Sequence, residues 1–284
     1  TRVTNGNCLF LRDFNRKYVK THPKVEHEIE TMKVRRPYKM KKLYNNEPVF
    51  TAENVKVGYL NINDLMQSFH GEYLNGDYNL LDLDLLAIAE TKLTKNITNE
   101  QLADVLSNWQ IIDRFDIEDG QSHMGLLLLG SKNLSSIPVT SQFCNLNLSS
   151  KVQGVSCTFN GSTFTFVYCN NTPTNIAVNF IEQNTRSSDY LLADLNLDAR
   201  VVEQDRKLKQ ICGECKVILL KEITHPQNNN QLDHILGKEK VGVKTYVTTF
   251  RNFIADHKTI VLRESKPGAQ YIIDQRLEGT HLAK

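Results

Sequence analysis

An acid and a carboxamide stand two positions apart at the end of an apolar run near the middle of this chain of 284 residues. Residues 191–196 read LLADLN, which predicts a strand closed by Asp194 and Asn196. Side chains two apart on a strand share a face, so these two groups emerge together at the strand's carboxyl end. Ligands of open α/β sheets bind at that edge. The pattern therefore marks Asp194 and Asn196 as candidates for chemistry.

Further polar residues close or follow apolar runs in the same way. They are Asn61, Glu90, Tyr168, Asn171, Asp233, Asp256 and His257. Cleaving a phosphodiester requires a positioned water, charge stabilisation on the phosphoryl oxygens and help for the leaving oxygen, and a hard cation held by carboxylates supplies much of this. Taken singly, each residue fits a solvated strand end, a turn or a surface hydrogen bond. Taken together, these residue types favour metal-dependent phosphodiester hydrolysis.

The fragments that carry these residues resemble, in the same order, the motifs of the endonuclease/exonuclease/phosphatase family, which includes the DNase I-like and apurinic-endonuclease-like enzymes. YLNIN at 59–63 resembles the family's WNVNGL, ET at 90–91 its ET, YCNN at 168–171 its YAPN, ADLN at 193–196 its GDFN, LDHI at 232–235 its IDHI, and ADH at 255–257 its SDH. The resemblance covers residues 54–264. It implies an α/β fold, a four-layer αββα sandwich of two packed mixed β-sheets flanked by helices.

The resemblance also implies a metal cofactor, Mg²⁺ or possibly Mn²⁺ in its place. Glu90 would be the first metal ligand, with Asn61 and Asp256 completing or supporting the site. Asp194 would orient and deprotonate the attacking water, and Asn196 would donate to a phosphate oxygen. Mg²⁺ prefers a few oxygen ligands together with waters, which agrees with these residue types.

The remaining residues of the resemblance would surround the reacting phosphate. His257 would contact it, positively charged or as a hydrogen-bond donor, with Asp233 as the carboxylate that orients the imidazole ring. Tyr168 and Asn171 would add hydroxyl and amide contacts to the reacting group.

Four places depart from the family's pattern. At two of them the change is between small residues, since Ala193 replaces the usual glycine and Ala255 the usual serine. Asn63 stands where apurinic endonucleases carry an aspartate and retrotransposon enzymes often carry a basic residue. Thr224-His225 stands where many LINE-type enzymes have Thr-Arg, so a contact to flanking DNA is either weakened or made by His225. The polar segment Pro226–Gln231 that follows reads as a loop able to line the DNA groove.

Charge divides the chain into two regions. Residues 1–46 hold 12 Lys/Arg against 4 Asp/Glu, a net charge of +8, whereas the remainder holds 22 against 28, a net charge of −6. Lys33–Lys42 places six cations in ten residues. This segment is a candidate for phosphate contacts. A solvated linker or a nuclear-import signal explains it equally well.

The first residues carry a second resemblance. TRVT at 1–4 and the helical stretch Pro23–Met32 look like the end of a Pif-type superfamily-1 helicase, whose final motif reads ALSRVT. Arg2 would match the ATP-sensing arginine of that motif. The chain would then be covalently continuous with a helicase in a longer protein, as in Helitron-like transposons, whose nuclease resembles that of LINE-type retrotransposons. An unrelated basic arm is the alternative. A Gly-Lys-Ser/Thr phosphate loop is absent from the sequence.

These observations lead us to expect a metal-dependent DNA endonuclease that leaves 3′-hydroxyl ends, the nicking domain of a transposable element. The predicted organisation is a basic arm and linker over residues 1–50, the nuclease domain over 51–264 and a polar tail over 265–284. Two alternatives stay open, a phosphoesterase acting on a small phosphoester and a catalytically silent nucleic-acid-binding module. Abasic, single-stranded and duplex DNA are not distinguished.

Composition sets the compartment and excludes one class of protein. No apolar run approaches the roughly 20 residues that a membrane helix requires, so we expect no membrane as partner. The partner that we expect from the motifs and the basic arm is DNA. The six cysteines form no disulfide framework, which favours a reducing compartment, here the nucleus. Cys212 and Cys215 have the spacing of a redox or zinc pair, but a second ligand pair is missing. We therefore expect a helix end with buried thiols.

Hydrophobic periodicity gives a coarse order of elements. It predicts strands at 55–62, 84–90, 109–115, 124–130, 189–195, 216–220, 231–236, 241–249 and 257–263, and helices at 98–107 and 174–184, with a helix or loop at 64–75. Asn160-Gly161, between two alternating segments, is the preferred two-residue hairpin turn. Antiparallel pairing there is therefore expected.

Overall fold

The computed structural model describes residues 54–67, 69–117, 123–134, 136–145 and 151–265. These residues belong to one compact unit, Glu53–Pro267. Several predicted segments lie outside the described residues: the basic arm, the Lys33–Lys42 segment, the helicase-like residues and the tail beyond Ser265. Their roles stay predictions.

The described residues form twelve strands and five helices. The strands are β1 (Asn54–Asn61), β2 (Leu85–Ala89), β3 (Trp109–Phe115), β4 (Leu126–Ser131), β5 (Val139–Asn145), β6 (Val152–Phe159), β7 (Ser162–Cys169), β8 (Tyr190–Asp194), β9 (Lys216–Ile218), β10 (Asp233–Lys238), β11 (Lys244–Phe250) and β12 (Thr259–Ser265). The helices are α1 (His70–Gly76), α2 (Tyr78–Leu81), α3 (Asn99–Val105), α4 (Asn175–Thr185) and α5 (Val202–Cys212).

The strands make two mixed sheets of six. The first has the order β11-β12-β1-β2-β4-β3 and the second β5-β6-β7-β8-β10-β9. Each sheet contains a parallel central pair, β1 with β2 in the first and β7 with β8 in the second, while the other neighbours run antiparallel. Since the carboxyl ends of a parallel pair lie at one edge, each sheet presents two strand ends side by side.

Alternation along the central strands explains why the two sheets pack face to face. Every second residue points between them and is buried, including Val57, Tyr59, Ala87, Phe164, Phe166, Leu192 and Ile235. The residues in between, such as Val167, Leu191 and Ala193, point outward on the second sheet. They pack against the buried faces of α4 and α5, which supply Val178, Ile181, Leu208 and Ile211. Such strands are buried on both faces and read as continuous apolar runs.

Helices close the outer face of the first sheet as well. The Trp109 indole Nε1 in β3 donates to the Leu74 carbonyl of α1 at 3.1 Å, and the Asn75 amide donates to the Val105 carbonyl at the end of α3 at 2.6 Å. The order helix, sheet, sheet, helix confirms the predicted four-layer sandwich.

Two local sequence signals are also confirmed. Asn160 and Gly161 have φ values of 49° and 75° and join β6 to β7 in an antiparallel hairpin. The Thr174 hydroxyl accepts from the Ala177 amide at 3.3 Å and caps α4. The helix predicted at 174–184 is thus present as α4; it buries Val178 and Ile181 and leaves Ile176 exposed. No helix in the described part of the chain is long and apolar enough to cross a membrane.

Candidate active site

The two parallel pairs end at a common edge of the sandwich, and most of the predicted site residues lie there. Asn61 ends β1 and Glu90 follows β2 in the first sheet, whereas Asp194 ends β8 in the second. Tyr168 and Asp233 both stand opposite Asp194 in the ladders that join β7 and β10 to β8. The fold thus brings together side chains that are far apart in sequence.

Asn61 connects the two sheets. Its Nδ2 donates to Glu90 Oε1 at 2.7 Å and to Asp194 Oδ2 at 2.9 Å, while its Oδ1 accepts from the Asn63 amide at 3.2 Å. A single amide therefore bridges two carboxylates. In this arrangement Asn61 acts as a donor, and its role as a metal ligand stays a prediction.

Asp194 is a buried carboxyl group with a strongly shifted pKa. Burial, followed by the negative charge of Asp233, raises the pKa of Asp194 to about 7, against the opposing effects of His257 and of hydrogen bonds from Asn61 and the Asn196 amide. The Asn196 N–H donates to Asp194 Oδ1 at 3.1 Å. A carboxyl group with this pKa gains and loses a proton near neutral pH, as a general base requires.

His257 lies between two carboxylates. Its Nδ1 is 2.8 Å from Asp233 Oδ2 and 3.9 Å from Asp194 Oδ2. Burial lowers the pKa of His257, but the charge and hydrogen bond of Asp233 and the charges of Asp194 and Asp256 outweigh it and raise the pKa to about 10. His257 is therefore an imidazolium at neutral pH. The predicted orientation of His257 by Asp233 is present in the structure.

Glu90 adopts a left-handed backbone conformation, with φ of 52°. Such a conformation is uncommon outside glycine and is found where the surrounding structure imposes it, often at functional sites. Tyr168 is buried next to Glu90. Burial, followed by the charges of Glu90 and Asp194, raises the pKa of Tyr168 far above its usual value, so its hydroxyl stays protonated. The sequence did not point to His123, whose Nδ1 lies 3.8 Å from Glu90 Oε2 at the exposed rim.

The two predicted carboxamides differ in their placement. Asn196 has φ of 49°, and its Nδ2 donates to the Cys169 carbonyl at 2.7 Å, which leaves one amide hydrogen for a ligand. Asn171 follows the end of β7 and is exposed, and its carbonyl accepts from the Cys169 thiol at 3.0 Å. Asn196 is thus held at the site, whereas Asn171 lies on its surface.

Asp256 and His225 form a second group beside His257. His225 Nε2 is 3.3 Å from Asp256 Oδ2, and the His225 ring meets the His257 ring edge-on with centroids 4.8 Å apart. From the sequence, a contact to flanking DNA was either weakened or made by His225, and the structure shows that the His225 side chain is only 8% exposed. Its partners are residues of the site, and no signal in the sequence indicated these contacts.

The donor set fits a divalent cation. Two trios place one potential ligand atom from each member within 4.8 Å of one another, Asp194 with Asp233 and His257, and His225 with Asp256 and His257. Because a protonated His257 has no free lone pair, the ligands that these trios offer are mainly their carboxylates. Glu90 stands outside both trios and joins the first through Asn61. Asp233 Oδ1 is buried without a hydrogen-bond partner among the described residues. Clustered carboxylates with few balancing cations are what a hard metal ion requires.

The paired cysteines lie elsewhere. Cys212 is buried at the end of α5 and Cys215 is exposed. Burial raises the pKa of the Cys212 thiol to about 11. Neither residue belongs to a potential metal trio of the described residues. The expected helix end is present, with one thiol buried rather than two.

No protein-family model matches this chain. No curated protein matches its sequence.

Solved structures, by contrast, share its fold. The AP endonuclease LMAP from Leishmania major has a TM-score of 0.55 at 12% identity, over 79% of this chain and 90% of that one. An endonuclease/exonuclease/phosphatase family protein from Leptotrichia buccalis has a TM-score of 0.52 at 14% identity, over 74% of this chain and 99% of that one. D. rerio TDP2 complexed with a single-strand DNA product has a TM-score of 0.50 at 11% identity, over 75% of this chain and 99% of that one. The described part of this chain therefore has the DNase I-like sandwich fold.

Proposed function

We propose that this protein is a metal-dependent DNA endonuclease that hydrolyses phosphodiester bonds and leaves 3′-hydroxyl ends. The observation that carries the proposal is the continuous polar network at the sandwich edge. It runs from Glu90 through Asn61 to Asp194 and on to the pair of His257 and Asp233. Each group that phosphodiester hydrolysis requires has a counterpart in it.

The two ionisable groups at the centre of the network suit opposite tasks. Asp194, with a pKa raised to about 7, can accept a proton from an attacking water that it orients. His257, with a pKa raised to about 10, stays charged and can donate to a phosphoryl oxygen, because Asp233 holds its Nδ1. Asn196 offers its remaining amide hydrogen to the same phosphate.

Glu90 is the residue we assign to the metal, with Asn61 and Asp256 completing or supporting the site. A Mg²⁺ or Mn²⁺ ion would supply a Lewis acid that stabilises charge on the phosphoryl oxygens and the leaving oxygen. Tyr168 keeps its proton next to Glu90 and can donate a hydrogen bond at the reacting group.

Several features support DNA over a small phosphoester. Two structural neighbours are an AP endonuclease and TDP2 complexed with a single-strand DNA product. Residues 1–46 carry a net charge of +8, which favours binding to the phosphate backbone. The helicase-like first residues lead us to place this domain in a transposable element, continuous with a helicase and acting in the nucleus.

A nicking assay on supercoiled plasmid tests the proposal. Wild-type protein is incubated with Mg²⁺ or Mn²⁺ over a range of concentrations, and the ends are identified by polymerase extension, which needs a 3′-hydroxyl. Conversion to open circles with extendable ends supports the proposal. Phosphate release from a small ester without nicking would favour the phosphoesterase, and DNA binding without any product would favour the silent binding module. Intact, abasic and single-stranded oligonucleotides in parallel identify the preferred substrate.

A further inference from the structure

His225 lies beside Asp256 and His257, and the proposed reaction gives it no role. Its backbone begins a tight hairpin, since the N–H and carbonyl of His225 bond the carbonyl and N–H of Asn230 at 2.9 and 3.2 Å. The neighbouring Thr224 carbonyl accepts from the Lys258 amide at 2.7 Å. The start of the hairpin is thus fixed directly against the Asp256-His257 segment.

The hairpin determines which nitrogen of His225 carries the proton. The Asn228 backbone N–H donates to His225 Nδ1 at 3.3 Å. A backbone N–H can only donate, so Nδ1 must present its lone pair and the ring proton must sit on Nε2. The tautomer of His225 therefore follows from the backbone of the hairpin.

The proton on His225 Nε2 points to one acceptor, the carboxylate of Asp256. Nε2 lies 3.3 Å from Asp256 Oδ2, so His225 donates to that carboxylate. The His225 ring also lies edge-on to the His257 ring, with an interplanar angle of 82° and centroids 4.8 Å apart. One buried ring thereby fixes the carboxylate of Asp256 and limits the movement of His257.

Arg200 holds the far side of the same hairpin. Its guanidinium donates to the Asn229 carbonyl and, at 3.3 Å, to the Asn230 side chain, while two further bonds of 2.9 and 2.6 Å join it to Asp198. A planar guanidinium held by a carboxylate is a rigid support. The position of Asn228, and with it the His225 tautomer, is therefore fixed from two directions.

We propose that His225 is a positioning residue, which donates from Nε2 to Asp256 and so orients this carboxylate for the metal ion of the active site. The proposal rests on the proposed metal-dependent function. A histidine in this place acts on the metal centre from within the protein, in contrast to a residue that contacts flanking DNA. Residues that orient ligands in this way change metal affinity or activity by about 10- to 100-fold when they are replaced.

Two substitutions separate the donor from the ring. His225→Phe keeps an aromatic ring against His257 but removes the donor, whereas His225→Gln keeps an amide donor at a similar reach. Mn²⁺ binding is measured on the full chain without DNA, by the loss of the free-ion electron paramagnetic resonance signal. We expect His225→Phe to weaken Mn²⁺ binding by about 10-fold or more and His225→Gln to stay near wild type.

A double-mutant cycle shows whether the effect passes through Asp256. In the Asp256→Asn background His225→Phe should cause little further loss of Mn²⁺ binding, because the carboxylate that it orients is gone. Equal losses in both backgrounds would overturn the proposal. So would Mn²⁺ binding by His225→Phe that equals wild type, or equal losses for the Phe and Gln variants.

Two further measurements test the tautomer of His225 and distinguish a positioning role from a contact to DNA. The ¹⁵N shifts of the wild-type imidazole must show the proton of His225 on Nε2, and a proton on Nδ1 would overturn the proposal whatever the variants do. In plasmid nicking, His225→Phe should lower kcat and leave the KM for DNA unchanged. A raised KM with unchanged kcat and metal binding would make His225 a DNA contact instead. If wild type cuts no DNA, the nuclease proposal fails, while Mn²⁺ binding and the tautomer still decide the role of His225.

Discussion

Asp194 and Asp233 face each other directly across the ladder between β8 and β10, and both carboxyl groups are buried. Their juxtaposition raises the pKa of Asp194, since burial and a like charge both disfavour its ionised form. A positive charge at this edge relieves the repulsion. His257 supplies one such charge, and a bound cation would supply more.

Asp194→Asn should abolish cleavage and leave DNA binding intact. The substitution keeps the shape of the side chain but removes the base, which typically costs on the order of 10²–10⁴ in rate. Single-turnover nicking and a filter-binding assay measure the two effects. Asp104→Asn, an exposed change on α3, is the matched control. A variant that retains more than about a tenth of wild-type nicking would exclude Asp194 as the base.

Glu90→Gln should change the metal requirement while DNA affinity stays the same. A neutral amide weakens Mg²⁺ most, because this ion depends on few protein carboxylates. Higher Mg²⁺, or Mn²⁺, should restore part of the activity. The metal dependence of nicking is compared with that of Glu100→Gln, an exposed glutamate in α3. An unchanged metal titration would mean that another residue holds the cation.

The metal-free protein should lose stability as pH rises from about 6.5 to about 10. Folding raises the pKa of His257 above its value in the unfolded chain. The stabilisation of the folded state by protonated His257 is therefore complete below the unfolded pKa and is lost as pH rises through the folded pKa. Urea unfolding in a chelator gives the free energy at each pH. His257→Gln should flatten this part of the profile, and a profile of equal slope in the variant would contradict the assignment.

Gly125→Ala should destabilise the protein and weaken metal binding. Gly125 has φ of 107°, and an added Cβ would lie 2.9 Å from the Lys92 amide and closer still to the Thr91 hydroxyl. Relieving that contact moves the segment that positions Glu90, and the strained backbone costs on the order of 1–3 kcal/mol. Thermal unfolding and Mn²⁺ binding test both effects. Gly76→Ala, where an added Cβ meets nothing within 4 Å, is the control.

Replacing the six cations of Lys33–Lys42 with glutamine should weaken DNA binding and reduce its salt dependence. Each phosphate neutralised by the protein contributes a slope of about −0.9 to log affinity against log salt. Single-turnover cleavage at saturating enzyme should stay near wild type, because the catalytic motifs all lie after this segment. An unaltered salt slope would end the assignment of this segment to phosphate contacts.

Most of the candidate site residues named from the sequence lie together at one edge of the sandwich, whereas some supporting elements were not predicted. The polar residues at strand ends were recognisable because each interrupts an apolar run, as Asp194 does after β8. Strand β5 was missed, since it is an edge strand with mostly exposed or half-buried residues and little apolar alternation. Of helix α5 only the end at Cys212 was expected, because the helix buries only three residues, Leu208, Ile211 and Cys212, and has no side-chain N-cap.

Other features could not be read from the chain at all. The assignment of strands to two sheets depends on pairings such as β1 with β12, which lie at opposite ends of the domain. The contacts of His225 arise from a hairpin whose shape depends on the left-handed Asn229 and on Arg200. Local periodicity carries no information about either feature.

The path of the chain through the two sheets has a consequence for synthesis. Strands β1–β4 enter the first sheet, β5–β10 build the whole second sheet, and only β11 and β12 return to complete the first. His257 lies two residues before β12, and its position depends on the pairing of β12 with β1. A ribosome must therefore release the chain through Ser265 before the site can assemble. A growing chain that already exposes Glu90 and Asp194 still lacks Asp256 and His257 in place, and so cannot carry out the proposed reaction.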